Sequence, residues 1–183
     1  MLTKNFYDMM RGFMLYSNVN VKDVAGTDVS VYYCLLGGNS YSSPSYGYGI
    51  RYGMRSGRTG APKSSLGSGY GVYFGTGTTP AALTDITMEA PISNISVTSP
   101  SDIVWGVYDS YYELSSTFGV QNTSSTGSYA ISEIGLFVQH QSSSNSTSAK
   151  TIMIEHTILS NPITLAPLEA KQITYTVRFK YPT

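Results

Sequence analysis

The chain has 183 residues, which suits one domain or one domain with an appendage. Charged residues make up only 12% of it and the formal net charge is zero, so electrostatic repulsion between copies is weak and association is favoured. The zero net charge excludes a strongly basic nucleic-acid binder, and the low charged fraction favours an assembly subunit over a free enzyme. A Ser/Thr-rich secreted β-domain is the alternative.

Cysteine and histidine are scarce, which limits the possible cross-links and metal sites. Cys34 is the single cysteine, so an internal disulfide is excluded, and its apolar surroundings predict a buried thiol. One Cys and two His cannot supply the usual zinc ligand sets, so we expect no metal and no cofactor. No leader and no apolar stretch of ~18 residues is visible, which predicts a soluble protein made in the cytoplasm, without a membrane partner.

Residues 1–18 are predicted to form an N-terminal helix. Thr3 is a candidate cap, and apolar residues then recur at helical spacing along one face: Phe6, Met9, Met10, Phe13 and Met14. A helix this short is marginal alone, so its apolar face must be buried. Packing against its own sheet and docking into a neighbouring subunit are both open.

Residues 19–70 are predicted to contain strands and a long loop. Alternating valines at 19 and 21, and again at 29 and 31, indicate two early strands. From Gly37 to Gly71 the chain is rich in Gly, Ser and Tyr, with a possible strand in Tyr46–Met54. The basic stretch Arg51–Lys63 suits nucleic acid or a protein partner, and we favour protein.

Aromatic and arginine side chains are frequent anchors of protein interfaces. On this basis, together with the helix stripe, the predicted contact residues are Phe6, Met10, Phe13, Tyr46, Tyr48, Arg51, Tyr52, Arg55 and Arg58.

Residues 71–183 are predicted to form the body of the protein. Candidate strands are Gly71–Phe74, Ile92–Thr98, Ile103–Tyr108, Tyr111–Val120, Tyr129–Gln139, Thr151–Leu159 and Lys171–Tyr181. The last alternates most clearly, with Ile173, Tyr175 and Val177 on one face. About seven short strands at this spacing predict an all-β fold, an antiparallel β-sandwich or jelly-roll-like domain with a short N-terminal helix.

Several patterns resemble parts of known chemical sites, and none predicts a catalytic site. Gly75–Thr79 resembles part of a phosphate loop but lacks the Lys-Ser/Thr pair, so we expect a tight loop leaving a strand. Glu133, between apolar neighbours, is predicted on the solvent face of a strand. A pair of carboxylates could make a glycosidase, but their spacing in the sequence brings no two of them together. The candidate carboxylates near strands are Asp102, Asp109, Glu113 and Glu133. His140 is expected at a solvated loop edge, and His156 on a strand face opposite Glu155.

Three segments together resemble a family of small virion structural proteins of tailed bacteriophages. The first is Gly71–Pro80 running into Leu83-Thr84-Asp85 and Glu89–Ile92; the second is Ala130–Phe137. The third comprises Ile154–Leu159, Pro162–Pro167 and Gln172–Phe179. The family often has Arg-Asp in place of Glu155-His156 and Gly in place of Leu168. The resemblance covers roughly residues 71–183.

The resemblance implies a component of the virion, such as a head decoration, head fibre, collar or tail adaptor, built and assembled in the host bacterial cytoplasm. We therefore expect a non-enzymatic subunit that contacts copies of itself and other virion proteins. The alternative is a carbohydrate-binding module that recognises host surface glycans, with Trp105 and exposed Tyr stacking on sugar rings.

Overall fold

The computed structural model describes residues 1–15, 19–31, 49–51, 57–58, 70–98, 103–141 and 149–180. It is mostly β, with antiparallel sheets and one short N-terminal helix, which confirms the predicted all-β fold class. The elements are α1 Lys4–Leu15, β1 Val19–Lys22, β2 Asp28–Val31, β3 Gly49–Arg51, β4 Gly57–Arg58, β5 Gly71–Gly75, β6 Ile95–Thr98, β7 Val104–Val107, β8 Tyr111–Asn122, β9 Tyr129–Gln141, β10 Ala149–Leu165 and β11 Ala170–Lys180.

Two sheets form a sandwich, because each has an apolar face that must be buried. The large sheet runs β10-β9-β5-β4, with β3 also paired to β9; the small sheet runs β11-β8-β6, with β7 also paired to β8. Strands β1 and β2 make a separate hairpin. One core cluster contains apolar side chains of both sheets, and the rings of Phe74 and Phe118 meet edge-on at 6.1 Å between centroids.

Strand β11 has the burial pattern that its sequence predicts. Ile173, Tyr175 and Val177 are buried, and the residues between them are exposed. Its partner throughout is β8, in an unbroken antiparallel register from Ala170↔Gln121 to Lys180↔Tyr111. The two-residue periodicity therefore determined both the type of this element and its face.

Helix α1 packs against β1 and β10 of its own chain. The side chain of Asn5 donates to the carbonyl of Lys22 at 2.8 Å, and the ring of Phe6 lies 5.8 Å from that of Phe179. Thr3 precedes the first residue of the helix, which is the predicted cap position, and its hydroxyl donates to the Met153 carbonyl at 2.9 Å. Its backbone carbonyl accepts from the amides of Phe6 and Tyr7 in the first turn, at 3.1 and 3.4 Å.

Strand β10 is longer than predicted and irregular. It continues past Leu159 to Leu165, through a stretch around Pro162 where the register with β9 shifts. A proline is tolerated at such a bulge because no ladder hydrogen bond is required of it. A second shift falls between Met153 and Glu155, and after it Glu155 pairs with Leu136 and His156 with Gly135.

The large sheet crosses the predicted boundary at residue 70. Strand β3 pairs with residues 139–141 of β9, and β4 pairs in parallel with residues 72–73 of β5. The predicted body therefore includes backbone from residues before position 71. In the parts of the chain that the structure describes, no helix has both the length and the apolar character needed to cross a bilayer.

The second face of the large sheet is covered by the segment that follows β5. Met88 of this segment lies in one buried cluster with Tyr73, Phe137 and Met153. Because the small sheet covers the other face, residues 131–139 of β9 are all buried. This double burial places polar side chains of β9 in the interior.

Candidate functional site

Glu133 lies in the interior of the protein, and its prediction as a solvent-facing residue is wrong. Its relative exposure is 0%, because the segment from Thr76 to Ala90 covers its face of the sheet. Its carboxylate accepts from the backbone amides of Glu89 at 2.6 Å, Ala90 at 3.0 Å and Gly77 at 3.3 Å. Alternation of apolar neighbours could not reveal this, since both faces of β9 are covered.

The glycine-rich loop after β5 binds carboxylates of its own chain. Besides the bond from Gly77 to Glu133, the amides of Thr78 and Thr79 donate to the Glu89 carboxylate at 2.9 and 3.0 Å. A Cβ atom at Gly77 would lie 2.6 Å from the Glu133 Oε2 atom, and one at Gly75 would also meet that oxygen. The prediction of a tight loop is confirmed, and its amides already hold internal anions.

His156 joins the carboxylate of Glu133 to that of Asp85. The distances are 3.0 Å from Nε2 to Glu133 Oε1 and 2.6 Å from Nδ1 to Asp85 Oδ2. Glu155, the preceding residue, contacts the hydroxyl of Tyr175 on the small sheet, so the prediction that these neighbours face opposite sides is confirmed.

The hydrogen bonds of this network shift the pKa of two groups. Burial by itself would lower the pKa of His156, but its hydrogen bonds to Glu133 and Asp85 outweigh burial and raise it. Burial would raise the pKa of Glu133, but the hydrogen bonds from His156, Ala90 and Glu89 outweigh burial and lower it. Both pKa shifts favour the charged form of the group, imidazolium for His156 and carboxylate for Glu133.

The geometry of this network is that of a structural clamp. Both ring nitrogens of His156 are engaged, and Glu133 accepts four hydrogen bonds from protein groups. A general acid or base needs access to a substrate proton, which these buried and saturated atoms do not offer. No group of three or more His, Cys, Asp or Glu side chains suited to a metal was found within the described part of the chain.

An exposed aromatic surface lies on the hairpin of β7 and β8. Val104 and Trp105 are 65% exposed and Val107 is 62% exposed. Trp105 stacks on Tyr112 at 6.2 Å, and Tyr108 stacks on Tyr111 at 4.6 Å between ring centroids. We call this surface, formed by Val104, Trp105, Val107, Tyr108, Tyr111 and Tyr112, the aromatic hairpin.

Several other strands at the margins of the sheets are covered or charged. The outer edge of β10 is occupied by residues 1–3, where the Thr3 amide donates to Ile154 and the His156 amide to Met1, and by the Val24 amide bound to Thr151. Strand β11 carries Lys171, Arg178 and Lys180. Strands β6 and β7 have no charged residue, and among the described residues each pairs only with β8; the apolar side chains of β6 are buried or half-buried, whereas those of β7 are exposed.

Most of the predicted contact residues are not placed by the structure. Phe6 and Met10 are partly buried on α1. Arg51 and Arg58 fall on β3 and β4, where only their backbone pairing is described. Outside the described residues, or with side chains outside them, lie Phe13, Tyr46, Tyr48, Tyr52 and Arg55. The interface role of these nine residues stays a prediction.

The candidate catalytic carboxylates do not come together. Asp109 is exposed in the turn between β7 and β8, and Glu113 pairs with Arg178 at 2.7 Å on the surface. Asp102 lies outside the described residues. The sequence did not identify the other residues of this network. His156 and Glu89 bond to Glu133, and Asp85 bonds to His156; all three are 23 to 48 positions from Glu133, a separation that gives no local signal.

A cleft of about 430 Å³ lies between α1, the β1–β2 hairpin and residues 83–86. Its charged side chains are paired among themselves or with the clamp: Lys4 with Asp8, Lys22 with Asp28 at 2.9 Å, and Asp85 with His156. A charged ligand would have to displace these partners.

Comparison with protein-family models, with curated proteins and with solved structures found no match to this chain.

Proposed function

We propose that this chain is a non-enzymatic structural subunit of a tailed-phage virion, which assembles through protein–protein contacts at the capsid surface or in the head–tail and tail region. The observation that carries the proposal is the exposed apolar edge strand β7. Natural proteins normally protect sheet edges with charge, proline or a covering segment, because an open edge recruits other chains. An edge left apolar and uncharged supports an assembly role.

The three segments that carry the resemblance support the proposal in a second way. They contribute the glycine-rich loop, Asp85, Glu89 and Glu133, which meet in one clamp; His156, which completes the clamp, stands at a position where the family often has Asp. A clamp that fastens a covering segment to a sheet serves rigidity. A family whose shared positions secure the body of the fold suits parts whose function is geometric.

The segment from residue 37 to 70 keeps its proposed role in contacts between subunits. Because it contains β3 and β4, deleting residues 41–68 would remove two strands of the large sheet. Substitutions test it more cleanly. Alanine at Tyr46, Tyr48, Arg55 and Arg58 is expected to weaken incorporation into particles while leaving the unfolding transition of the isolated protein in place.

The test is mass spectrometry of density-purified particles of the phage that encodes the chain. We expect the chain among the particle proteins, in a fixed ratio to the major capsid protein. Complementation with Val107→Arg should reduce incorporation, whereas Leu83→Arg, at a position that is also exposed, should not. Absence of the chain from purified particles would contradict the proposal.

A carbohydrate-binding module is the second candidate, because Trp105 presents an indole that is 65% exposed beside Tyr112. Indole faces stack well on sugar rings. An array of bacterial surface glycans, probed with the wild type and Trp105→Ala, separates the two candidates. Specific binding that the substitution abolishes would favour the module over the structural subunit.

A further inference from the structure

We propose that β7 binds β7 of a second copy of this chain, antiparallel and centred on Gly106, so that the small sheets of two copies join into one. The inference rests on the proposed assembly role and names the surface and its occupant. A two-fold contact of this kind is isologous, since each copy offers the same strand. It closes the exposed edge of both copies at once.

The backbone of β7 is oriented for such pairing. The amide of Tyr108 donates to the carbonyl of Tyr111 at 2.9 Å, which makes this a hydrogen-bonded pair of the β7–β8 ladder. Hydrogen-bonded positions alternate along an antiparallel strand, so Gly106, opposite Glu113, also directs its amide and carbonyl towards β8. The amides and carbonyls of Trp105 and Val107 then face the free edge.

In a two-fold arrangement, the outward amides and carbonyls of Trp105 and Val107 form hydrogen bonds with those of the second copy. With Gly106 opposite Gly106 of the second copy, Trp105 lies opposite Val107 of that copy. The amide of each donates to the carbonyl of the other. Symmetry repeats the pair, so four backbone hydrogen bonds form without a change of either strand.

The side chains of β7 are self-complementary in this register. Trp105 meets Val107 of the second copy on one face, and Val104 meets Tyr108 of the second copy on the other. Aromatic residues opposite β-branched residues are among the stabilising cross-strand pairs, each contributing roughly 0.2–1 kcal/mol. Gly106 at the centre adds no bulk, and a Cβ there would lie 2.9 Å from the Tyr108 ring.

A second copy fits this edge better than a sugar does. Val104 and Val107 are as exposed as Trp105, and a stacked sugar ring would use the indole but not these two valines. The stretch from Ile103 to Tyr108, which contains β7, has no charged residue, so pairing two copies places no like charges opposite each other. An opposing strand of the same sequence gives each of the four exposed residues an apolar partner in this register.

Disulfide cross-linking tests the register directly. In a Cys34→Ser background, the double variant Val104→Cys/Tyr108→Cys places its thiols at opposed, non-hydrogen-bonded positions. Their Cα atoms would be about 4.5 Å apart, within the range that disulfides bridge. We expect a covalent dimer on a non-reducing gel after mild oxidation. Each single variant is the matched control, because its two thiols would be four residues out of register and should not cross-link.

The association itself is measured by sedimentation velocity of the isolated full chain. We expect a dimer whose Kd rises at least about 100-fold in Val107→Arg, since symmetry counts each lost contact twice. The control Leu83→Arg should keep the wild-type Kd. Unchanged circular dichroism and unfolding of Val107→Arg would show that the fold survives.

The outcomes separate this inference from the proposed function. A wild-type chain that stays monomeric at about 100 μM, or a double cysteine variant that cross-links no better than the singles, overturns the β7 pairing. The chain could still be found in purified particles in that case, which would leave the structural role in place. Absence of the chain from particles would contradict the structural role, whether the isolated chain is a monomer or a dimer in solution.

Discussion

Glu133 is the residue on which the covering segment of the large sheet most depends. A buried carboxylate is costly unless it is fully hydrogen-bonded, and Glu133 meets this condition with three backbone amides and one imidazole. The charge is therefore stabilising only while residues 76–90 remain in place. Folding of that segment and ionisation of Glu133 are coupled.

Replacing Glu133 with Gln tests this coupling. The amide group keeps the shape but turns an NH₂ towards backbone N–H groups, so we expect the free energy of unfolding to fall by about 2–4 kcal/mol. Urea denaturation provides the measurement. The control is Glu113→Gln, which breaks the surface pair with Arg178 and should cost at most about 1 kcal/mol. Equal losses in the two variants would contradict the clamp.

Leu168 carries backbone strain that a single substitution can remove. It lies in the turn between β10 and β11 with φ of 59°, in the left-handed region that costs an L-residue with a Cβ about 1–2 kcal/mol. A glycine at this position would remove the strain, but it would also increase the conformational entropy of the unfolded chain.

We expect Leu168→Gly to raise the free energy of unfolding by about 0.5–1 kcal/mol, because relief of strain exceeds the entropic cost. Leu83→Gly is the control: Leu83 is also exposed but has no positive φ, so glycine should destabilise there. Thermal and urea unfolding of both variants provide the comparison. Destabilisation by Leu168→Gly would show that other contacts of this side chain outweigh the strain.

At the scale of elements, one asparagine fastens α1 to two strands. The Asn5 side chain donates to the carbonyls of Lys22 in β1 and Met153 in β10, at 2.8 and 3.3 Å. It also accepts from the Lys22 amide at 2.9 Å. A helix of 12 residues is marginal alone, so these buried bonds and the apolar contacts around them hold it on the sandwich.

Removing this side chain should release the helix and the β1–β2 hairpin together. We expect Asn5→Ala to lower stability by about 2–3 kcal/mol, because it takes the side-chain partner from the partly buried amide and carbonyl of Lys22, while the Met153 carbonyl keeps the Thr3 hydroxyl. Hydrogen exchange should accelerate at the Lys22 amide while the β8–β11 ladder remains protected. Asn20→Ala, on an exposed position of β1, is the control and should leave both regions unchanged.

At the scale of the whole molecule, the clamp predicts a window of maximum stability in pH. The pKa of Glu133 is lowered from its ordinary value of 4.5, so its contribution is complete above pH 4.5 and disappears as pH falls through the folded-state value. The pKa of His156 is raised from 6.5, so its contribution is complete below pH 6.5 and disappears as pH rises through the folded-state value. Both act fully between pH 4.5 and 6.5.

Chemical unfolding at a series of pH values measures this window. We expect stability to decline above pH 6.5 in the wild type, because the folded state retains a proton that the unfolded chain has released. His156→Gln should abolish that decline, whereas His140→Gln, which removes the other histidine, should preserve it. A decline that persists in His156→Gln would assign it to another group.

The sequence by itself determined the all-β class, most of the strands and the short N-terminal helix. These follow from local periodicity: β11 alternates with a period of two, and the stripe from Phe6 onwards repeats at helical spacing. Local pattern is enough there because one face of the element meets the core and the other meets solvent. It was misleading at Glu133, where both faces of the strand are covered.

The tertiary structure alone decided which polar residues meet and which edge stays open. Glu133, His156 and Asp85 come from a central strand, a neighbouring strand and a covering loop, and only the register of β9 with β10, including the bulge before Glu155, brings them together. The exposure of Trp105 and its neighbours depends likewise on where β7 falls at the margin of its sheet. Both are consequences of long-range pairing, which no local window of sequence contains.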